Sequence, residues 1–582
     1  MRCSSPNSSD SIACEACLRR VAAYSPPMRR LLRALATLIP HRADWRAMGW
    51  GGVCCALLSA AMMTLAFPRW GIGWLAWVGL APIFAATRSR PPRAAKWLWY
   101  LFGVAWIYAS ICWFNVTIYV NALIIGGIIL MALILGLLVL LFGWCAIWLR
   151  RLGPLSLALI PMAWVAIEWL HNFSDLSFPW LFLAHTQWDR PTLIQSASLF
   201  GTHGLSFLIV AGNLILVEVV ALAVRVRQGE REFSWVGVAA LAWGALMVLN
   251  TLLGAHALAR WHRPPGEEAI RVAIVQPAWE QRDKLEAMEQ PAFSLDLYRV
   301  MIEQLRALQP GEVDLVILPE SVIMDFAFPL EGRHWRDALA HEAERLGATI
   351  IFGANRATVP EGMSLDMIYS YGDLEIANSV WALDPDGEVA GVYDKIRLVP
   401  FSESAPLISL IPGLMELTLG NIALFVPGEE HALLPVRRDD KTIPVGAHVC
   451  FESTFADLVR RFTLKGAQLL VTVTNDAWFL ETSGPWQHWI VQPFRAVENR
   501  RWVIQAANTG ISSVVDPAGV VIARTDLGEC TVMRQRVEPL DGQTLYTRHG
   551  DWLAQCFLAL SALATVIAIA RDRRLRRTER TQ

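Results

Sequence analysis

Residues 443–452 read I-P-V-G-A-H-V-C-F-E. An apolar, β-branched run leads into Cys450, and Phe451, Glu452 and Ser453 open a stretch with helical patterning, residues 454–464. The reading is strand, turn and helix with a thiol at the tip of the turn. Such a junction exposes a nucleophile and offers backbone N–H groups to an oxyanion. Alone it is weak, because most free cysteines are small buried hydrophobes.

Two further stretches raise its weight. Residues 313–320 read V-D-L-V-I-L-P-E, a buried strand ending on Glu320. Residues 393–403 read Y-D-K-I-R-L-V-P-F-S-E, a strand carrying Lys395 and closing on Glu403. Glu320 by itself reads equally as a helix cap, and Lys395 as a solvated strand charge. A carboxylate, an ammonium and a thiol at three strand ends form an acid/base, cation and nucleophile set.

Around these stretches strands alternate with helices. Strands are expected at 270–276, 313–318, 349–353, 377–383, 389–399, 445–449, 469–474 and 503–507. Helices are expected near 294–308, 335–346 and 487–498, and a hairpin over 512–522 turns at Asp516-Pro-Ala-Gly519. The pattern predicts one layered α/β sandwich, residues 262–551, entered through the linker H-R-P-P-G-E-E-A at 262–269.

The rest of the chain is of another kind. Of 582 residues, 54% are hydrophobic and only 18% charged, against about 25% charged in soluble domains. The 26 tryptophans suit anchoring at membrane–water interfaces. A net charge of −1 gives no reason to expect nucleic acid as a partner. Apolar segments long enough to span a bilayer lie at 48–67, 71–87, 97–118, 122–149, 155–170, 205–224 and 235–253, with an eighth at 553–570. Residues 1–47 form a basic arm (Arg19, Arg20, Arg29, Arg30, Arg33, Arg42, Arg46) read as cytoplasmic rather than as a cleaved signal. Cys14 and Cys17 lie there without a second pair, so neither metal nor redox chemistry is expected of them. Basic clusters at 88–96, 150–151, 225–231 and 571–580 fall on alternate loops, on the side of the arm. The positive-inside rule makes that side cytoplasmic and places the α/β insert outside. The domains are thus 1–47, a seven-helix part at 48–254, the catalytic insert at 262–551, and a closing helix with a basic tail at 552–582. Glu168 and Glu218 lie in or near spans, where a carboxylate is either functional or paired. Residues 178–204 read as an interfacial loop supporting the insert.

The contexts of Glu320, Lys395 and Cys450 resemble those of the nitrilase superfamily, whose Glu-Lys-Cys triad sits on an α-β-β-α sandwich. L-V-P-F-S-E (398–403), C-F-E (450–452), T-N-D-A-W-F (474–479), Q-H (487–488) with R-A-x-E-N-R (495–500), N-T-G (508–510) and F-P-W (178–180) resemble its membrane branch, the apolipoprotein N-acyltransferases. The resemblance implies a polytopic helical membrane domain of about eight transmembrane helices carrying a nitrilase-like ectodomain. It makes Glu403 and Glu452 accessory active-site carboxylates, and puts Asn378 where the family has an asparagine near the site. Ser402 replaces the family's usual Gly, Phe451 its Tyr, and Leu285 falls where a Trp is usual.

The same resemblance implies a ping-pong acyl transfer in a bacterial inner membrane, with both termini cytoplasmic. Glu320 acts as general base, Cys450 attacks a phospholipid ester, and Lys395 with the N–H after Cys450 holds the oxyanion. The acceptor is the α-amine of an S-diacylglyceryl-cysteine apolipoprotein. No metal or cofactor is expected, and a monomer embedded in membrane lipid is. A membrane-tethered nitrilase-type amidohydrolase shares the triad, and a transporter or scaffold with an inactive domain is the reading from another class. Of the insert's thiols, Cys450 and Cys530 are expected free and apart, since pairing would remove the nucleophile.

Both substrates are lipids, so a lid is expected in the apolar stretch 405–426, with Leu407, Ile408, Leu410, Ile411 and Leu414 dipping into the outer leaflet. Replacing Leu410 and Leu414 with Asp is expected to slow acylation by phospholipid vesicles and leave a water-soluble ester unaffected. Equal loss with both substrates would make the stretch a packing loop instead.

Overall fold

The computed structural model describes residues 42–116, 122–229, 234–289, 291–323, 333–358, 374–400, 402–404 and 425–581. The arm up to residue 41, with Cys14 and Cys17, and the expected lid residues Leu407, Ile408, Leu410, Ile411 and Leu414 lie outside the described residues.

Helices α1 (Arg42–Ala66), α2 (Ala81–Arg88), α3 (Pro92–Ile111), α4 (Ala122–Leu149), α5 (Ser156–Leu170), α6 (His203–Arg227) and α7 (Trp235–Trp261) precede the α/β part, and one long helix (Trp552–Thr581) follows it. Among the described residues, six helical stretches are long and apolar enough to cross a membrane, and one of them, Ile125–Leu170, runs through both α4 and α5. Gly153, at φ +64, breaks that stretch in two, as a residue without a Cβ readily does.

The expected span at 71–87 is not one helix. It divides into a 3-10 turn, Gly73–Trp77, and the eight-residue α2. Gly71 takes φ +64, Pro82 stands in the first turn of α2, and a Cβ on Gly73 would meet the Thr186 carbonyl at 2.2 Å. Backbone groups freed by such a break need partners. Asn213 supplies them, its Oδ1 accepting from Leu80 N at 2.8 Å and its Nδ2 donating to the Ala76 carbonyl at 2.8 Å.

The basic loops meet at one end of the bundle. Glu218 pairs with Arg88 at 3.2 Å and Arg150 at 3.6 Å, and Arg151 pairs with Asp572 of the tail. Glu168 is also partnered, accepting from Trp164 Nε1 and Leu183 N, both at 2.9 Å. The tryptophans divide between two roles. Trp50, Trp70, Trp74 and Trp235 are exposed, whereas Trp99, Trp106 and Trp164 pack inside the bundle with Phe102 and Phe142. Trp99 meets the Phe142 ring edge-on at 4.8 Å, an arrangement aromatic quadrupoles favour.

The α/β part is two six-stranded sheets. The first runs β12–β1–β2–β3–β4–β5 and the second β11–β10–β9–β8–β7–β6. Their strands are β1 (Ile270–Gln276), β2 (Leu315–Ile317), β3 (Thr349–Thr358), β4 (Glu375–Leu383), β5 (Val389–Asp394), β6 (Leu433–Arg438), β7 (Lys441–Val449), β8 (Leu469–Thr474), β9 (Val503–Ala507), β10 (Ser513–Val515), β11 (Val521–Arg524) and β12 (Thr531–Val537). β1, β2 and β3 are parallel neighbours, as are β7, β8 and β9. Alternation along β1 sends Val272 and Ile274 between the sheets, and Ala273 and Val275 toward the outer helices, as a strand buried on both faces requires. Helices α8 (Gln281–Glu289), α9 (Pro291–Arg306) and α10 (Arg333–Leu346) follow β1 and β2, and α11 (Ala456–Leu464), α12 (Gly484–Trp489) and α13 (Gln492–Asn499) follow β7 and β8.

The two parts share a core. Trp489, Phe494 and Val497 of the second sheet's helices, with Ile490 between them, belong to the same buried cluster as the membrane helices. Gln487 links them polarly: its Oε1 accepts from Trp113 Nε1 at 3.1 Å and Trp180 Nε1 at 2.9 Å, and its Nε2 donates to the Ser110 and Pro68 carbonyls at 3.0 and 3.2 Å. The loop that carries Trp180 is therefore a buried support for the α/β part. A loop supporting the insert is what the sequence suggests, though buried here rather than interfacial; the strands β6 and β12 are not expected from it.

Candidate active site

Within the first sheet β2 and β5 run the same way, and within the second β7 and β8 do, and Glu320, Lys395, Cys450 and Asn475 follow the carboxyl ends of those four strands. Open α/β sheets bind ligands at such an edge. Glu320 reaches its place because Gly353 on β3 has no side chain: a Cβ there would lie 2.5 Å from the Glu320 Cα. Ser321, next in the chain, takes φ +50.

Cys450 itself sits at φ +49, a conformation a residue with a Cβ adopts only when its surroundings impose it. Glu452 does much of the imposing. It is the third residue of a 3-10 turn, Cys450–Thr454, and its Oε2 accepts from Val449 N at 2.8 Å. Its Oε1 accepts from Tyr393 Oη at 2.8 Å, Ile396 N at 2.7 Å and Arg397 N at 3.0 Å. One buried carboxylate thus ties the thiol's turn to the residues flanking Lys395. Burial raises the Glu452 carboxyl above the ordinary range, against the pull of these donors.

Lys395 Nζ lies 2.8 Å from Glu403 Oε1 and 3.8 Å from Glu320 Oε1. Asn378 Nδ2 bridges the two carboxylates at 2.7 Å to Glu320 and 3.0 Å to Glu403. The second oxygens are also engaged, Glu320 accepting from Asn475 N at 2.8 Å and Glu403 from Val399 N at 2.9 Å. Burial opposes the Lys395 charge, but Glu403 and then Glu320 outweigh it and hold the ammonium well above its usual range. Burial, and next the Glu320 charge, push the Cys450 thiol well up, while Lys395 pulls the other way. Cys450 thus stands beside Glu320, with the ammonium fixed between two acids.

Phe451 packs among aromatic rings. Its ring stacks with Phe178 and Trp180, each at 6.2 Å, and meets Phe455 edge-on at 5.1 Å. Cys450 and Cys530 are both free thiols. The structure also brings in residues the sequence reading did not single out: Asn475, Asp476, Tyr393, His488 and Trp180. All but Tyr393 lay inside motifs quoted for the family resemblance, and Tyr393 opens the 393–403 stretch. Cys450, Asp476 and His488 offer donor atoms within 4.8 Å of one another. Both His488 nitrogens already have oxygen partners, at 2.9 Å on Asp476 Oδ1 and 3.0 Å on the Cys450 carbonyl, whereas Asp476 Oδ2 is buried without a hydrogen-bond partner.

Residues 59–215 match the family model described as the apolipoprotein N-acyltransferase N-terminal domain, and residues 271–539 match that of carbon–nitrogen hydrolase. The chain is 32% identical over 523 residues to an apolipoprotein N-acyltransferase of Geobacter metallireducens, spanning 89% of this chain and 95% of that protein. It is 30% identical over 516 residues to that of Azotobacter vinelandii, spanning 87% and 92%. An amidase from Nesterenkonia sp. is similar in structure at 20% identity and a TM-score of 0.33, over 49% of this chain and 95% of that one.

Glu452→Gln puts an amide N–H where only acceptors are tolerated. A loss of about 1–3 kcal/mol in stability is expected, with slower acylation, read by thermal unfolding and acylation rate in detergent. Tyr393→Phe leaves three backbone donors in place and is expected to be milder. A Gln variant as stable and active as the parent would contradict the tether.

Proposed function

The chain belongs to the apolipoprotein N-acyltransferase family and is an acyltransferase, and from that premise we propose that Cys450 relays a fatty acyl group from a membrane phospholipid to the α-amine of an S-diacylglyceryl-cysteine apolipoprotein. The observation that carries this reading is the convergence of half-buried Cys450 with buried Glu320 and Lys395, where Asn378 aligns Glu320 and Glu403 around the one ammonium.

Glu320 takes the Cys450 proton as sulfur bonds to the ester carbonyl carbon. The resulting oxyanion is held by Lys395 and the Phe451 N–H; one such donor is typically worth about 3 kcal/mol. Collapse breaks the ester C–O bond, Glu320 returns the proton to the departing oxygen, and a lysophospholipid leaves a thioester on Cys450. The acceptor amine, with a reference pKa of about 7.7–8.0, then attacks. Glu320 removes its proton, the C–S bond breaks, and the proton passes to the thiolate. Glu403 and Asn378 keep Lys395 and Glu320 aligned.

Basic residues grouped at one end of the bundle support a cytoplasmic placement for that end and for both termini of this bacterial membrane protein, with the catalytic part on the outer face. The amidohydrolase alternative would use the same triad, but the match over 59–215 favours transfer.

Intact-mass analysis after incubation with phospholipid is expected to show one added acyl group, absent in Cys450→Ala. Glu320→Gln is expected to slow acylation by about 10²- to 10⁴-fold. A diacylglyceryl-cysteine peptide is expected to discharge the acyl group onto its amine. Release of free fatty acid alone would favour hydrolysis, and an adduct persisting in Cys450→Ala would overturn the assignment.

A further inference from the structure

His488, on α12, lies fully buried against the thiol's turn. Its Nε2 is 3.0 Å from the Cys450 carbonyl oxygen and 3.1 Å from Ser453 Oγ, and its Nδ1 is 2.9 Å from Asp476 Oδ1. A carbonyl oxygen and a carboxylate oxygen can only accept, so both contacts are hydrogen bonds when both ring nitrogens carry hydrogen. Burial works against a charge on the ring, but Asp476 more than offsets it and raises His488 above the ordinary imidazole range. Trp180 lies flat on the ring, centroid to centroid 5.6 Å with planes 9° apart, and an indole face attracts a cation.

The carbonyl that His488 holds belongs to the peptide joining Cys450 to Phe451. The N–H of that same peptide is the oxyanion donor of the acyl-transfer reading, on which this inference rests. Hydrogen bonding to an amide carbonyl polarises the amide and strengthens its N–H as a donor. We propose that His488 is a positioning residue for the oxyanion site: by donating Nε2–H to the Cys450 carbonyl it fixes the strained turn and sharpens the Phe451 N–H that receives the developing negative charge. Asp476 keeps the ring charged and oriented. Trp180, itself bonded to Gln487, clamps the ring from the membrane side, so the loop at 178–182 takes part in the chemistry without touching substrate.

Two reactions of Cys450 separate this role from general support of the turn. Alkylation by iodoacetamide needs the sulfur but forms no oxyanion; acylation by p-nitrophenyl butyrate needs both. In the full-length protein in detergent, His488→Leu is expected to lower the acylation rate at least about 10-fold, since losing an oxyanion donor outright costs about 10²–10³, and to leave alkylation at the parent rate. His488→Gln, which retains an amide N–H able to reach the carbonyl, is expected to recover most of the acylation. Equal losses in both reactions, or no recovery with Gln, would overturn the proposal. Should His488→Leu fail to fold, Asp476→Asn reads the same ratio, with acylation expected to fall and alkylation to hold; parallel changes would overturn it. Failure of the acyl-transfer reading looks different, because the parent protein would then take no acyl group on Cys450.

Discussion

Everything at the site depends on one ammonium kept dry. Lys395 is buried, so its charge survives only beside compensating acids. Glu403 contacts it at 2.8 Å and Glu320 lies at 3.8 Å, giving the three groups a net charge of −1. In the proposed reaction, transfer of the thiol proton to Glu320 would neutralise that carboxylate as negative charge appears on the substrate oxygen. The sum is unchanged and only its place moves, from Glu320 to a position facing Lys395. In a low-dielectric site that relocation is far cheaper than creating a charge, and preorganised partners need no rearrangement to receive it.

The same economy explains the rigid surroundings. Glu452 binds the turns of Cys450 and Lys395 into one unit, and Asn378 and Asn475 N fix the two oxygens of Glu320. Gln487 then fastens that unit to the membrane helices through two indoles and two carbonyls. The second sheet's helices thus serve both as its outer layer and as the seat on the bundle. In the proposed reaction, a lipid substrate reaching Cys450 from the bilayer would meet a site already tied to the membrane domain.

Much of this was legible in the chain. β1, β8 and β9 have the bounds that their apolar, β-branched runs suggested, and the turn at Cys450 announced itself by a strand followed at once by a helical pattern. β6 and β12 were hidden because each carries two arginines, as exposed edge strands do. The stretch 71–87 reads as a span because hydropathy averages over Gly71, with its positive φ, Gly73, pressed against the Thr186 carbonyl, and Pro82, which starts a new helix. The carboxylates and lysine of the site stood at strand ends and so drew attention. Asn475, Asp476 and His488 lay in motifs already quoted, but their roles depend on pairings across the fold, such as Asn475 N with Glu320, 155 residues away. No local pattern encodes such a pairing.

The most direct test is a structure of the acyl-enzyme trapped with Glu320→Gln and a short-chain ester. The account predicts a thioester on Cys450 whose carbonyl oxygen lies within hydrogen-bond distance of both Lys395 Nζ and Phe451 N. An acyl group on another residue, or a thioester oxygen turned away from Lys395, would contradict it.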